Sequence, residues 1–108
     1  MNNFEPFTAL EFSAADSEGR LVKLSDFKGI KNVLLVFNRG FQWPYCRRHM
    51  AHLRQDYREF VDRDTEIIAI GPEDKKSFAQ WWKENDMPFI GIGDPQHLIA
   101  DLYGQQTK

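Results

Sequence analysis

One cysteine, Cys46, is the only thiol in this 108-residue chain. A single thiol excludes an internal disulfide, and with it a disulfide-stapled scaffold or a two-thiol exchange cycle within one chain. An excess of one charge is also missing. Lys and Arg number 14 against 16 Asp and Glu, for a net charge of −2, so no electrostatic footprint argues for nucleic acid or an anionic membrane surface. No apolar run approaches the roughly 20 residues of a membrane-spanning helix. Met1-Asn2-Asn3-Phe4-Glu5-Pro6 has no basic region leading into an apolar one, so no signal peptide is expected. The lone thiol fits a reducing, cytoplasmic setting. Repeats, linkers and low-complexity stretches are lacking too. No Gly-rich phosphate motif surrounds Gly91-Ile92-Gly93, which reads as a turn. His49 and His52 stand three apart with no further His or Cys at ligand spacing, so no metal and no cofactor is expected.

The hydrophobic content of 42% and the charged content of 28% suit one modest α/β domain over residues 1–108. Phe7, Ala9 and Phe12 are assigned to a first short strand and Leu21-Val22-Lys23-Leu24 to a second, with Asp16-Ser17-Glu18-Gly19 as the turn between. Ser25 to Gly29 reads as a turn or a single helical turn. Val33-Leu34-Leu35-Val36-Phe37 is apolar throughout, as expected of a central strand covered on both faces. Cys46, Met50, Leu53, Tyr57 and Phe60 recur at the spacing of one helical face between about Tyr45 and Asp62. Ile67-Ile68-Ala69-Ile70 is a second buried strand. Strand, helix and strand with short links predict a right-handed βαβ unit with parallel strands. Pro72 suits the first turn of the next helix, whose apolar face is Phe78, Trp81 and Trp82; the two tryptophans read as core rather than a ligand platform. Pro88 to Ile92 is a third apolar segment. Asp94-Pro95 pairs a cap with a first helical residue, Leu98, Ile99, Leu102 and Tyr103 form a buried face, and Gly104 is the C-cap.

Cys46 falls where the strand ending at Phe37 hands over to this helix, in Arg39-Gly40-Phe41-Gln42-Trp43-Pro44-Tyr45-Cys46-Arg47-Arg48. The ordinary place of a lone cysteine is as a small buried hydrophobe. A thiol at a helix N-terminus beside cations is instead set to be a nucleophile, and such a thiol is expected to be partly exposed. The helix start contributes roughly 0.3–1 kcal/mol to a nearby anion, so a cation must supply the rest. Arg39 is the best candidate, because it leaves the strand end on the side where the helix begins. Arg47 and Arg48, beside the cysteine on the helix, are expected to point away from it, whereas His49 at i+3 faces the thiol.

Several segments, in order and spacing, carry a resemblance. They are Leu24-Ser25-Asp26-Phe27-Lys28-Gly29, Val33 to Phe37, Arg39-Gly40, Pro44-Tyr45-Cys46-Arg47-Arg48, Ile67 to Gly71-Pro72-Glu73, Asp94-Pro95 and Leu102-Tyr103-Gly104. Together they resemble the front two-thirds of a peroxiredoxin of the alkyl hydroperoxide reductase/thiol-specific antioxidant (AhpC/TSA) group, in the thioredoxin-like superfamily. The resemblance implies a three-layer thioredoxin-like α/β fold with an N-terminal hairpin and a βαβ core. It implies Cys46 as the peroxidatic cysteine; Arg39, by its place at the strand end, would stabilise it, and Trp43, Pro44, Tyr45 and His49 would surround the substrate. The substrate would be hydrogen peroxide or an alkyl hydroperoxide. Trp43 stands where the family segment has Cys or Thr, and Ala51 where one subgroup has a resolving cysteine. The oxidised sulfur would therefore be reduced by an external thiol donor of the thioredoxin or glutathione type.

The family's final hairpin, its active-site proline, the arginine beside the thiolate and its last helix have no counterpart in these residues. A sheet edge left open in this way predicts self-association, hence a homo-oligomer. Two functions follow from this: an antioxidant thiol peroxidase, or a catalytically inactive peroxiredoxin-like binding or assembly module. A disulfide reductase needs two thiols, and only one is present.

Overall fold

In a computed structural model of the chain, residues 11–103 are described. Phe7, Ala9 and Gly104, placed in a strand and a cap from sequence, lie outside them. Strand β1 (Ser13–Ala15) pairs antiparallel with β2 (Leu21–Lys23). The turn between them closes through Asp16, whose carboxylate accepts the amides of Glu18 and Arg20 at 2.9 Å each, while Gly19 takes φ 81°. A 3₁₀ turn follows over Leu24–Phe27.

The remaining strands, β3 (Asn32–Phe37), β4 (Thr65–Gly71) and β5 (Ile90–Gly93), form a parallel sheet in the order β3-β4-β5. Helix α1 (Pro44–Asp62) connects β3 to β4, and α2 (Lys75–Glu84) connects β4 to β5. Helix α3 (Leu98–Leu102) ends the described chain. The βαβ expectation is met. Among the described residues, however, the strand with a neighbour on both sides is β4, and 33–37 has one on one side. Successive side chains of a strand point to opposite faces, and on β4 both sets are buried. Ile67 and Ala69 join Val36, Met50, Leu53, Phe78, Trp82 and Phe89 under α1 and α2. Ile68 and Ile70 join Phe12, Val22, Ile92 and Ile99 under the hairpin and α3. Helices, sheet, then hairpin with α3 give the three layers expected. Strand β3 has a ladder partner on one side only among the described residues, and its Leu34 is exposed.

Three further readings need correction. Gly91-Ile92-Gly93 is not a turn but the body of β5. A Cβ on Gly91 would stand 2.4 Å from Cε2 of Trp82 and 2.6 Å from Cε1 of Phe78, so glycine here serves close approach of α2 to the sheet. Pro72 lies ahead of α2, whose cap is Asp74, its carboxylate accepting the Ser77 amide at 2.8 Å. Helix α3 begins at Leu98 rather than at Pro95. The buried Asp94 reaches across that gap and accepts the amides of Leu98, Ile99 and Ala100 at 3.0, 3.0 and 3.1 Å.

Candidate active site at the start of helix α1

Strand β3 continues its pairing one residue past its end, where the Asn38 amide donates to Ile70 O at 2.8 Å. The Asn38 side chain is buried against α1, its Nδ2 3.6 Å from Sδ of Met50. The chain then turns through Gly40, at φ 137°, in a region that favours glycine. Trp43 is the N-cap residue of α1 and makes no side-chain cap bond; Pro44 takes the first helical position, where its missing amide is no loss. Cys46 is thus the third residue of α1, in the turn whose amides have no partner within the helix.

Cys46 is a free, buried cysteine, 5% exposed as a residue. The expectation of a partly exposed thiol is therefore corrected. Cys46 shares its stripe with Met50 and Leu53, and side chains four apart lie one above the other on a helix. The stripe that anchors α1 to the sheet takes the cysteine with it. Among the described residues no hydrogen bond or ion pair reaches its sulfur.

The surrounding side chains are placed as follows. Arg39 is exposed and lays its guanidinium over the Trp43 ring, 4.9 Å from the centroid. Arg47 turns back and donates from Nη1 to Phe41 O at 2.6 Å. His49, expected beside the thiol, stacks instead on Tyr45, centroids 6.2 Å apart. This follows because residues 45 and 49 are i and i+4 on the helix. Tyr45 is itself 70% exposed, and Trp43 45%. Among the described residues no group of three or more His, Cys, Asp and Glu could hold a metal ion, and no helix is long and apolar enough to cross a membrane.

Two residues to which the sequence pattern gives no role hold this loop. Phe41 is buried and stacks flat on Trp81 of α2, centroids 3.9 Å apart and planes 10° apart. Glu73, in the turn between β4 and α2, accepts the Phe41 amide on Oε2 at 2.6 Å. Its other oxygen, Oε1, is buried and has no partner. A signal for Glu73 existed. It follows Gly71-Pro72 at the carboxyl end of a parallel strand, the edge on which α/β proteins build their sites.

Comparison with known proteins gives this arrangement relatives. Peroxiredoxin Bcp of Bacillus subtilis is 28% identical over 85 residues, covering 79% of this chain and 54% of its own. A chloroplastic peroxiredoxin Q of Oryza sativa subsp. japonica is 30% identical over 110 residues, covering 92% of this chain and 50% of its own. This chain thus spans about half the length of the curated relatives it matches. Among solved structures, the crystal structure of peroxidoxin BcpB from Mycobacterium tuberculosis superposes with a TM-score of 0.83 at 21% identity, over 91% of this chain and 64% of that one. The fold is thus thioredoxin-like, of the peroxiredoxin type. The model of the AhpC/TSA family matches residues 7–108, and the chain belongs to the AhpC/TSA family.

Proposed function

We propose that the chain is an antioxidant thiol peroxidase with Cys46 as its single peroxidatic cysteine. The observation that carries this reading is the position of Cys46 in the first turn of α1, at the carboxyl end of a parallel strand. There the unpartnered amides and the helix dipole favour an anion. The peroxiredoxin names of the relatives support the same chemistry.

In the reaction, the Cys46 thiolate attacks the terminal oxygen of a hydroperoxide. An S–O bond forms as the O–O bond breaks, and the alkoxide or hydroxide leaves as alcohol or water after taking a proton. The sulfur loses two electrons to the peroxide and becomes a sulfenic acid. With one cysteine in the chain, reduction falls to an external dithiol or to two monothiols. The first thiol displaces water to give a mixed disulfide, and the second releases Cys46. A donor of the thioredoxin or glutathione type and a reducing compartment fit this cycle. Arg39 stabilises the developing negative charge once it leaves the Trp43 ring. Self-association along the β3 edge belongs to the same proposal.

A second reading, a module that binds without turning over, has one observation in its favour. The guanidinium meant for the thiolate contacts a tryptophan ring. Replacement Cys46→Ser separates the two readings. The peroxidase reading predicts complete loss of peroxide consumption with an unchanged melting transition. Residual consumption in that variant would remove Cys46 from its role.

A further inference from the structure

Phe41 is held from three sides. Its amide donates to Oε2 of Glu73 at 2.6 Å, its carbonyl accepts from Nη1 of Arg47 at 2.6 Å, and its ring stacks on Trp81 at 3.9 Å. These partners come from three different places: the β4–α2 turn, the first turn of α1 and the middle of α2. The two polar bonds involve charged groups, which make the stronger hydrogen bonds. They grip both ends of one residue in the loop that delivers Cys46, five positions later.

Glu73 sits where it does at a cost. Its Oε1 is buried with no partner among the described residues, and an unsatisfied buried acceptor is unfavourable. Gly71 leaves the room it needs, since a Cβ there would lie 2.8 Å from Oε1. A carboxylate kept in such a place is held by the bond it makes to the loop.

We infer that Glu73 is a positioning residue for Cys46: with Arg47 it clamps the Phe41 peptide, and the clamp keeps the thiol under cover. Cys46 is 5% exposed, and on this inference its sulfur meets a reagent more often when the loop ahead of the helix opens. The strength of the clamp therefore sets how often Cys46 is reached. The consequence for peroxide chemistry rests on the reading of Cys46 as the nucleophile. The clamp itself does not.

Alkylation by iodoacetamide tests the clamp separately, since the chain has one thiol and intact mass reads it directly. The full-length reduced chain is compared with Glu73→Ala, Glu73→Gln and Arg47→Met, each with its melting transition. Glu73→Ala is expected to alkylate about tenfold faster, the size expected of one lost hydrogen bond to a charged group. Glu73→Gln, whose amide oxygen still accepts the Phe41 amide, is expected to stay within about threefold of the parent. Should Glu73→Ala not fold, Arg47→Met carries the test through the carbonyl side, with faster alkylation expected. A parent-like rate in folded Glu73→Ala or Arg47→Met, or equal acceleration in Glu73→Ala and Glu73→Gln, would overturn the inference. Alkylation as expected in a chain that consumes no peroxide would leave the clamp standing and remove the peroxidase reading alone.

Discussion

Arg39 covers the face of Trp43, with its guanidinium carbon 4.9 Å from the ring centroid. This contact joins two residues on which the proposed chemistry of Cys46 turns. Trp43 stands where the resemblance to the family places Cys or Thr, and Arg39 is the cation that leaves β3 toward the helix start. A cation over a ring at an exposed site is worth about 0.5–1 kcal/mol. The ring therefore competes with a thiolate for Arg39 but does not trap it.

Replacing the ring should release the cation. Trp43→Thr is predicted to raise the rate of Cys46 oxidation by hydrogen peroxide about two- to fivefold, in line with the cation–π energy removed. The gain should vanish in the Trp43→Thr, Arg39→Ala double variant. Stopped-flow oxidation of the four proteins of this cycle reads the coupling. A gain that survives loss of Arg39 would assign the effect to the hydroxyl or to the opened space.

Gly91 offers a test of the packing beneath the site. Its substitution by Ala drives a Cβ to 2.4 Å from Trp82 and 2.6 Å from Phe78, both in the core against α2. Overpacking of this kind costs about 1–3 kcal/mol. Urea unfolding of Gly91→Ala should show a lower midpoint with an unchanged slope. A midpoint equal to the parent's would mean that β5 and α2 lie farther apart than described.

The cap of α2 should make stability depend on acid. The Ser77 amide, and after it the Ser77 hydroxyl, hold the Asp74 carboxyl below its ordinary value. A carboxyl with a depressed folded pKa binds fewer protons folded than unfolded. Its stabilisation is therefore full above the unfolded pKa, about 3.9, and is lost as the pH falls through the folded one. Asp74→Asn keeps a capping oxygen and removes the charge. Its melting midpoint should lie below the parent's at pH 7, and the gap should close in acid. A gap that persists below the carboxylate range would show that charge has no part in the cap.

Much of the architecture is legible in the residues, because it rests on periodicity. Cys46, Met50 and Leu53 at helical spacing, and Ile67 to Ile70 as an unbroken apolar run, specify one helix and one buried strand. An apolar run reports burial and not neighbours, so it could not show that, among the described residues, β4 is the strand paired on both sides. Glycine and proline were misleading for a related reason. Gly91 and Gly93 look like turn residues, yet Gly91 is small to admit Trp82. Pro72 and Pro95 look like helix starts, yet the caps act a few residues away through side chains. At the site, the place of Cys46 at the start of α1 was readable. The ring under Arg39 and the Glu73 bond to Phe41 were not. Each depends on which loops meet at the end of the sheet, and separations such as that of Phe41 from Glu73 leave no periodic trace.

The most direct test of the account is the second-order rate of Cys46 oxidation by hydrogen peroxide, followed by intact mass with a sulfenic-acid trap and compared with free cysteine. The account predicts a rate several orders of magnitude above that of free cysteine, with one sulfenic acid per chain. A rate equal to that of free cysteine, in a chain that melts cooperatively, would contradict it and leave a member of the family that binds without reducing peroxide.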